Sequence, residues 1–73
     1  MDLFTLYWFD ASGERHVEIE RCSFDEKFKS ALARLTQGPA ACMGMVKRVQ
    51  VVDMFDCTSF LWKDGNLIYP VLP

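Results

Sequence analysis

The chain has 73 residues, 51% of them hydrophobic and 14% aromatic, with ten acidic side chains against eight basic ones for a net charge of −2. That apolar content excludes a disordered tail, and the slight acidic excess excludes the basic footprint of a nonspecific nucleic-acid binder. So short a chain is expected to form one α+β domain over residues 1–73, near the size at which a core can still support folding without staples.

The opening segment, MDLFTLYWFD, is apolar over too short a run to cross a membrane and carries Asp2 where a signal peptide carries Lys or Arg. Neither a signal peptide nor a membrane contact is expected. Its aromatic and aliphatic residues, Leu3 to Phe9, predict a first strand, and Asp10 to Gly13 (DASG) predict a turn with Gly13 free to take positive φ. Arg15 to Cys22 (RHVEIERC) predict a second strand, in which Val17 and Ile19 alternate with His16, Glu18 and Glu20. The register that keeps apolar residues together sets Leu6 opposite Val17 and Phe4 opposite Ile19, with Trp8 on the same side. His16 then falls on the exposed side, near Tyr7.

Ser23 opens the clearest element. The S-x-x-E spacing of Ser23 and Glu26 predicts a capping box, and Phe24, Phe28, Ala31, Leu32 and Leu35 recur at helical spacing behind it. Gly38 and Pro39 stop that helix. Residues Ala40 to Met45 (AACMGM) read as an apolar connector, and Val46 to Asp53 (VKRVQVVD) as a third strand with Val49 and Val51 on one side. Asp64-Gly65 signals a type I′ hairpin that pairs Trp62 with Leu67, Leu61 with Ile68 and Phe60 with Tyr69. The order is ββαβββ, one amphipathic helix on one face of an antiparallel sheet. The helix is expected to cover Phe4, Leu6, Trp8, Val17, Ile19, Phe60, Trp62, Leu67 and Tyr69.

The chemistry-bearing residues are sparse. Cys22, Cys42 and Cys57 are odd in number and widely spaced, which argues against a disulfide framework and for a reducing cytoplasm. With His16 they match a Cys₃His zinc set in number alone, because no close Cys pair is present; three buried, inert thiols are the expectation, with no metal and no cofactor. A Cys57–His16 dyad has no supporting motif, and Asp53 with Asp56 reads as turn chemistry rather than a cation site. The aromatics lack the glycine-aromatic motif and basic surround of RNA-binding sheets, so no nucleic-acid partner is expected. Arg21, Lys47 and Arg48 read as solvated charge, and no residue is assigned a catalytic role.

The hairpin beginning at Phe60 is apolar on both faces, and one helix covers only one. Tyr7, Phe9, Leu61 and Ile68 are therefore expected on an outer face that binds a partner, with Met43 and Met45 as adaptable contacts in the connector. From Val49 to Pro70, VQVVDMFDCTSFLWKDGNLIYP, the chain also resembles a group of very short, uncharacterised proteins encoded by bacteriophages and prophages. The shared features are the aspartate-rich turn, Asp56-Cys57-Thr58, and the aromatic-W-x-D-G hairpin ending in Tyr69-Pro70, roughly a third of the chain. The resemblance implies a non-enzymatic accessory protein of the host cytoplasm that binds and inhibits a host protein complex, CRISPR and other defence machinery included. A structural or regulatory homodimer is the alternative, and a nucleic-acid-binding module a further one.

Overall fold

A computed structural model describes residues 2–69. The chain runs β1 (Phe4–Asp10), β2 (Arg15–Cys22), α1 (Glu26–Gln37), α2 (Pro39–Cys42), β3 (Val46–Val52), β4 (Thr58–Lys63) and β5 (Asn66–Tyr69). The strands form one antiparallel sheet in the order β2-β1-β3-β4-β5, and α1 packs on one face of it, an α+β fold. Because β1 lies between β2 and β3 and opposes both, those two run parallel to each other, and α1 carries the chain across β1 to join them.

The first turn decides the register of its hairpin. Gly13, at φ +88°, donates to the Asp10 carbonyl at 3.0 Å, and Asp10 N donates to the Glu14 carbonyl at 3.1 Å, closing a three-residue loop. Phe9 then pairs with Arg15, Trp8 with His16 and Tyr7 with Val17, and bulges in β2 bring Ile19 opposite Leu6 and Cys22 opposite Phe4. The expected Leu6–Val17 and Phe4–Ile19 pairs do not form. Val17 moves out of the core and is 50% exposed, while Ile19 stays against it.

The helix starts two residues later than the capping-box spacing predicts. Asp25 is the N-cap, its carboxylate accepting from Phe28 N at 2.9 Å, and the Ser23–Glu26 box is not made. Phe24 therefore precedes the helix and remains half exposed, its ring edge-on to Phe4 at 5.9 Å with the Lys29 ammonium 5.7 Å from its centroid. Phe28 becomes the centre of the core, fully buried among Leu6, Leu35, Val46, Val49, Val51 and Trp62.

Gly38 ends the helix as expected, for a reason of space: its N–H donates to the Arg34 carbonyl at 2.9 Å, and a Cβ there would run into that same oxygen. Pro39 then opens a helical turn where the sequence suggested an irregular connector, and Ala41 of that turn packs on the core.

In β3, Val49 and Val51 are buried together as expected, and a bulge near Lys47 adds Val46 to them. The second hairpin has the expected type I′ turn, with Asp64 at φ +50° and Gly65 at φ +84°, and the expected Trp62–Leu67 pair. A bulge at Ile68 then sets Leu61 opposite Tyr69, so the Leu61–Ile68 and Phe60–Tyr69 pairs do not form. Tyr69 thereby leaves the set that faces the helix. Leu67 keeps Trp62 as its neighbour but is 40% exposed, since α1 packs against β2 and β3 and stops short of β5. Among the described residues no helix is long and apolar enough to cross a membrane.

Candidate protein-binding surface

Directly opposed residues share a face of a sheet, so the pairings read out the side away from the helices row by row. One row crosses all five strands as Val17, Tyr7, Gln50, Leu61 and Tyr69. The next, nearer the two hairpin turns, is Arg15, Phe9, Arg48, Lys63 and Asn66. The first is apolar around one central amide; the second carries three cations and no carboxylate.

The rings in these rows are partly sheltered by the chain's own arginines. The Arg15 guanidinium lies 4.8 Å from the Tyr7 centroid and that of Arg48 5.1 Å from Phe9, cation–π contacts worth about 0.5–1 kcal/mol at exposed sites. Arg48 also donates to the Gln50 side-chain oxygen Oε1 at 3.1 Å, and the Gln50 side-chain Nε2 donates to the Thr58 hydroxyl at 3.0 Å. The face is thus pre-arranged: aromatic and aliphatic groups held in fixed positions, with guanidinium groups beside them.

Of the expected contact residues, Tyr7, Phe9 and Leu61 come together here in adjacent rows. Ile68 sits in the β5 bulge beside Tyr69, exposed. Met43 and Met45 are exposed in the segment between α2 and β3 and belong to neither row. Sequence reasoning missed Val17, which enters through the short first loop, Tyr69, which enters through the β5 bulge, and Gln50 and Arg48, which simple alternation with the buried Val49 and Val51 puts on this side. It also missed Phe55, 80% exposed at the tip of the β3–β4 loop. That tip is rigidly tied: the Asp53 carboxylate accepts from Phe55 N at 2.8 Å and Cys57 N at 3.0 Å. An apolar residue between two turn-forming aspartates was the available signal.

On the helix side, at the end of the first hairpin, His16 stacks on Trp8 with centroids 4.3 Å apart and an interplanar angle of 20°, rather than pointing to solvent near Tyr7. Its Nε2 lies 2.9 Å from Asp10 Oδ2. The other Asp10 oxygen accepts from Ser12 N, Ser12 Oγ and Glu14 N at 2.9, 2.6 and 3.0 Å. The His16 contact, with the Ser12 and Glu14 bonds behind it, holds the Asp10 carboxyl well below the usual carboxylate range.

Ser12, Asp10 and His16 are the side-chain types of a hydrolytic triad in the wrong order. The aspartate stands between serine and histidine, so no imidazole reaches the hydroxyl to take its proton. Asp10, Glu14 and His16 also place three ligand atoms within 4.8 Å of one another. Both Asp10 oxygens are already engaged in closing the loop, and the cluster is accounted for as a clamp.

The thiols differ from expectation: Cys42 and Cys57 are exposed, and Cys22 alone packs against the core. Together these features define a small α+β protein whose sheet has helices on one side and an open, patterned face on the other. No family model, no curated protein and no solved structure matches the chain.

Proposed function

We propose that this is a non-catalytic binding protein that acts by laying the open face of its sheet on a larger protein and covering a site there. The observation that carries the proposal is the Val17–Tyr7–Gln50–Leu61–Tyr69 row, an aromatic and aliphatic strip with no layer over it among the described residues. Tyr and Arg dominate energetic centres of protein interfaces, and here Tyr69 stands beside Leu61 and Tyr7 across Gln50 from it, while Arg15 and Arg48 stand in the next row. The three cations of that row match a partner whose rim is acidic. The likeness of the C-terminal third to small phage proteins supports host machinery as the target class and inhibition by occlusion as the effect.

The test uses the tagged protein as bait in extract of its host, beside a Leu61→Lys variant whose fold is verified by circular dichroism. Capture of one defined protein complex by the wild type, lost in Leu61→Lys, supports the proposal. Equal capture by both, or capture of nothing, overturns it. Salt-sensitive binding to a labelled oligonucleotide with no protein captured would transfer the face to nucleic acid instead.

A further inference from the structure

The sheet has two edges, and they are built differently. The β2 edge carries Arg15, Glu18, Glu20 and Arg21, is interrupted by two bulges, and is tied back to the helix by the Glu18–Arg34 ion pair. Charges and bulges are the usual means of stopping an edge strand from pairing with another chain. The β5 edge is less protected: Asn66, Leu67, Ile68 and Tyr69 carry no charge, the last three are 40%, 47% and 49% exposed, and a single bulge, at Ile68, interrupts it.

The backbone of β5 is also open. In a type I′ hairpin the pair flanking the turn, here Lys63 and Asn66, exchanges both backbone hydrogen bonds, so in the next pair the peptide groups of Leu67 point away from β4. Nothing among the described residues lies beyond them. On the helix side, the off-centre position of α1 leaves a groove of about 430 Å³ beside this edge, walled by Leu32, Ala33 and Thr36 on the helix and by Phe60, Trp62 and Leu67 on the sheet. On the other side Leu61 and Tyr69 continue the open face.

We propose that β5 pairs antiparallel with β5 of a second copy of this chain, making a two-fold dimer with a continuous ten-stranded sheet. Self-pairing suits this strand because an uncharged edge brings no like charges opposite each other, whereas β2 against its own copy, centred on Ile19, would set Glu18 opposite Glu20. A head-to-tail β5–β2 contact would propagate into a filament, and the bulged, charged β2 blocks it, so the association closes at two. A stable interface buries about 800 Å² on each partner. A four-residue strand falls short of that alone; a two-fold axis perpendicular to the sheet puts both helices on one side, where the groove walls, Leu32 and Thr36 with Phe60 and Leu67, offer further apolar surface to the partner copy. The open faces then lie side by side on the other side, so the dimer extends the proposed binding face without covering it.

Sedimentation equilibrium of the full chain, with amide hydrogen exchange at Leu67, tests this. The expected result is a species of twice 8.4 kDa in which the Leu67 amide is protected, with the protection falling on about a hundredfold dilution. Ile68→Lys should sediment as a folded monomer with a fast Leu67 amide. A monomeric wild type at the highest concentration, or a dimer whose Leu67 amide exchanges freely, overturns the proposal. Should Ile68→Lys fail to fold, the dilution series on the wild type decides alone. The open-face reading stands or falls separately, because Leu61→Lys capture is scored on whatever species sediments.

Discussion

His16 lies flat on Trp8 at 4.3 Å, and that stack is what turns the imidazole toward the Asp10 carboxylate. The pair closes the end of the first hairpin, where Asp10 also accepts from Ser12 and Glu14. An acid whose folded pKa is depressed contributes stability in full above its unfolded pKa, near 4, and loses it as pH falls through the folded value. The Asp10 carboxyl carbon should therefore show no titration step near pH 4 by NMR, and the Ser12 and Glu14 amides should exchange faster in Asp10→Asn than in wild type. A normal carboxylate titration at Asp10 would refute the clamp.

Phe28 is fully buried at the point where α1 meets β1 and β3. Phe28→Ala should cost about 3–5 kcal/mol in a urea titration, a large share of what a domain this small possesses. A loss under about 1 kcal/mol would mean that the helix is not seated on the core.

Capping separates two neighbouring residues. Asp25→Ala removes the acceptor of Phe28 N and should destabilise by about 1 kcal/mol, whereas Ser23→Ala, whose side chain caps nothing, should lie within about 0.5 kcal/mol of wild type. The reverse order in thermal melts would restore the Ser23 box.

Gly38 has an ordinary φ of −79°, at which alanine normally stabilises by restricting the unfolded chain. Its close approach to the Arg34 carbonyl reverses the sign: Gly38→Ala should lose about 1–3 kcal/mol, the usual cost of forcing an extra methyl into a filled space. Denaturant midpoints of the two proteins give the answer directly.

Alkylation of the native protein should label Cys42 and Cys57 and leave Cys22 unmodified until unfolding, as their exposure differs in that order. Three labels under native conditions would show that Cys22 is not held against the core.

Most of the architecture was legible because it rests on local chemistry. The Asp10–Gly13 and Asp64-Gly65 turns, the Phe28–Leu35 stripe, the Gly38 stop and the Val49–Val51 alternation each follow from one residue's φ preference, one missing Cβ or one period. What was not legible is the count of residues between paired positions. A bulge adds one residue to one strand and leaves composition and alternation almost unchanged, yet the one at Ile68 moved Tyr69 from the helix side to the open face, as a first loop one residue shorter than expected moved Val17. His16 shows the same limit: alternation sent it outward with Tyr7, and a shorter loop than expected set it beside Trp8. The open face itself was expected from a simple shortage of helices, but its cationic row depends on Arg15, Arg48 and Lys63, which are 15 or more residues apart and meet only across strands.

The central claim, that the open face is the working surface, is tested most directly by hydroxyl-radical footprinting of the captured complex against the free protein. Tyr7, Leu61 and Tyr69 should lose reactivity in the complex while Phe24 and Met43, which lie outside that face, keep theirs. Unchanged reactivity at Tyr7, Leu61 and Tyr69, with protection at Phe24 or Met43 instead, would contradict it.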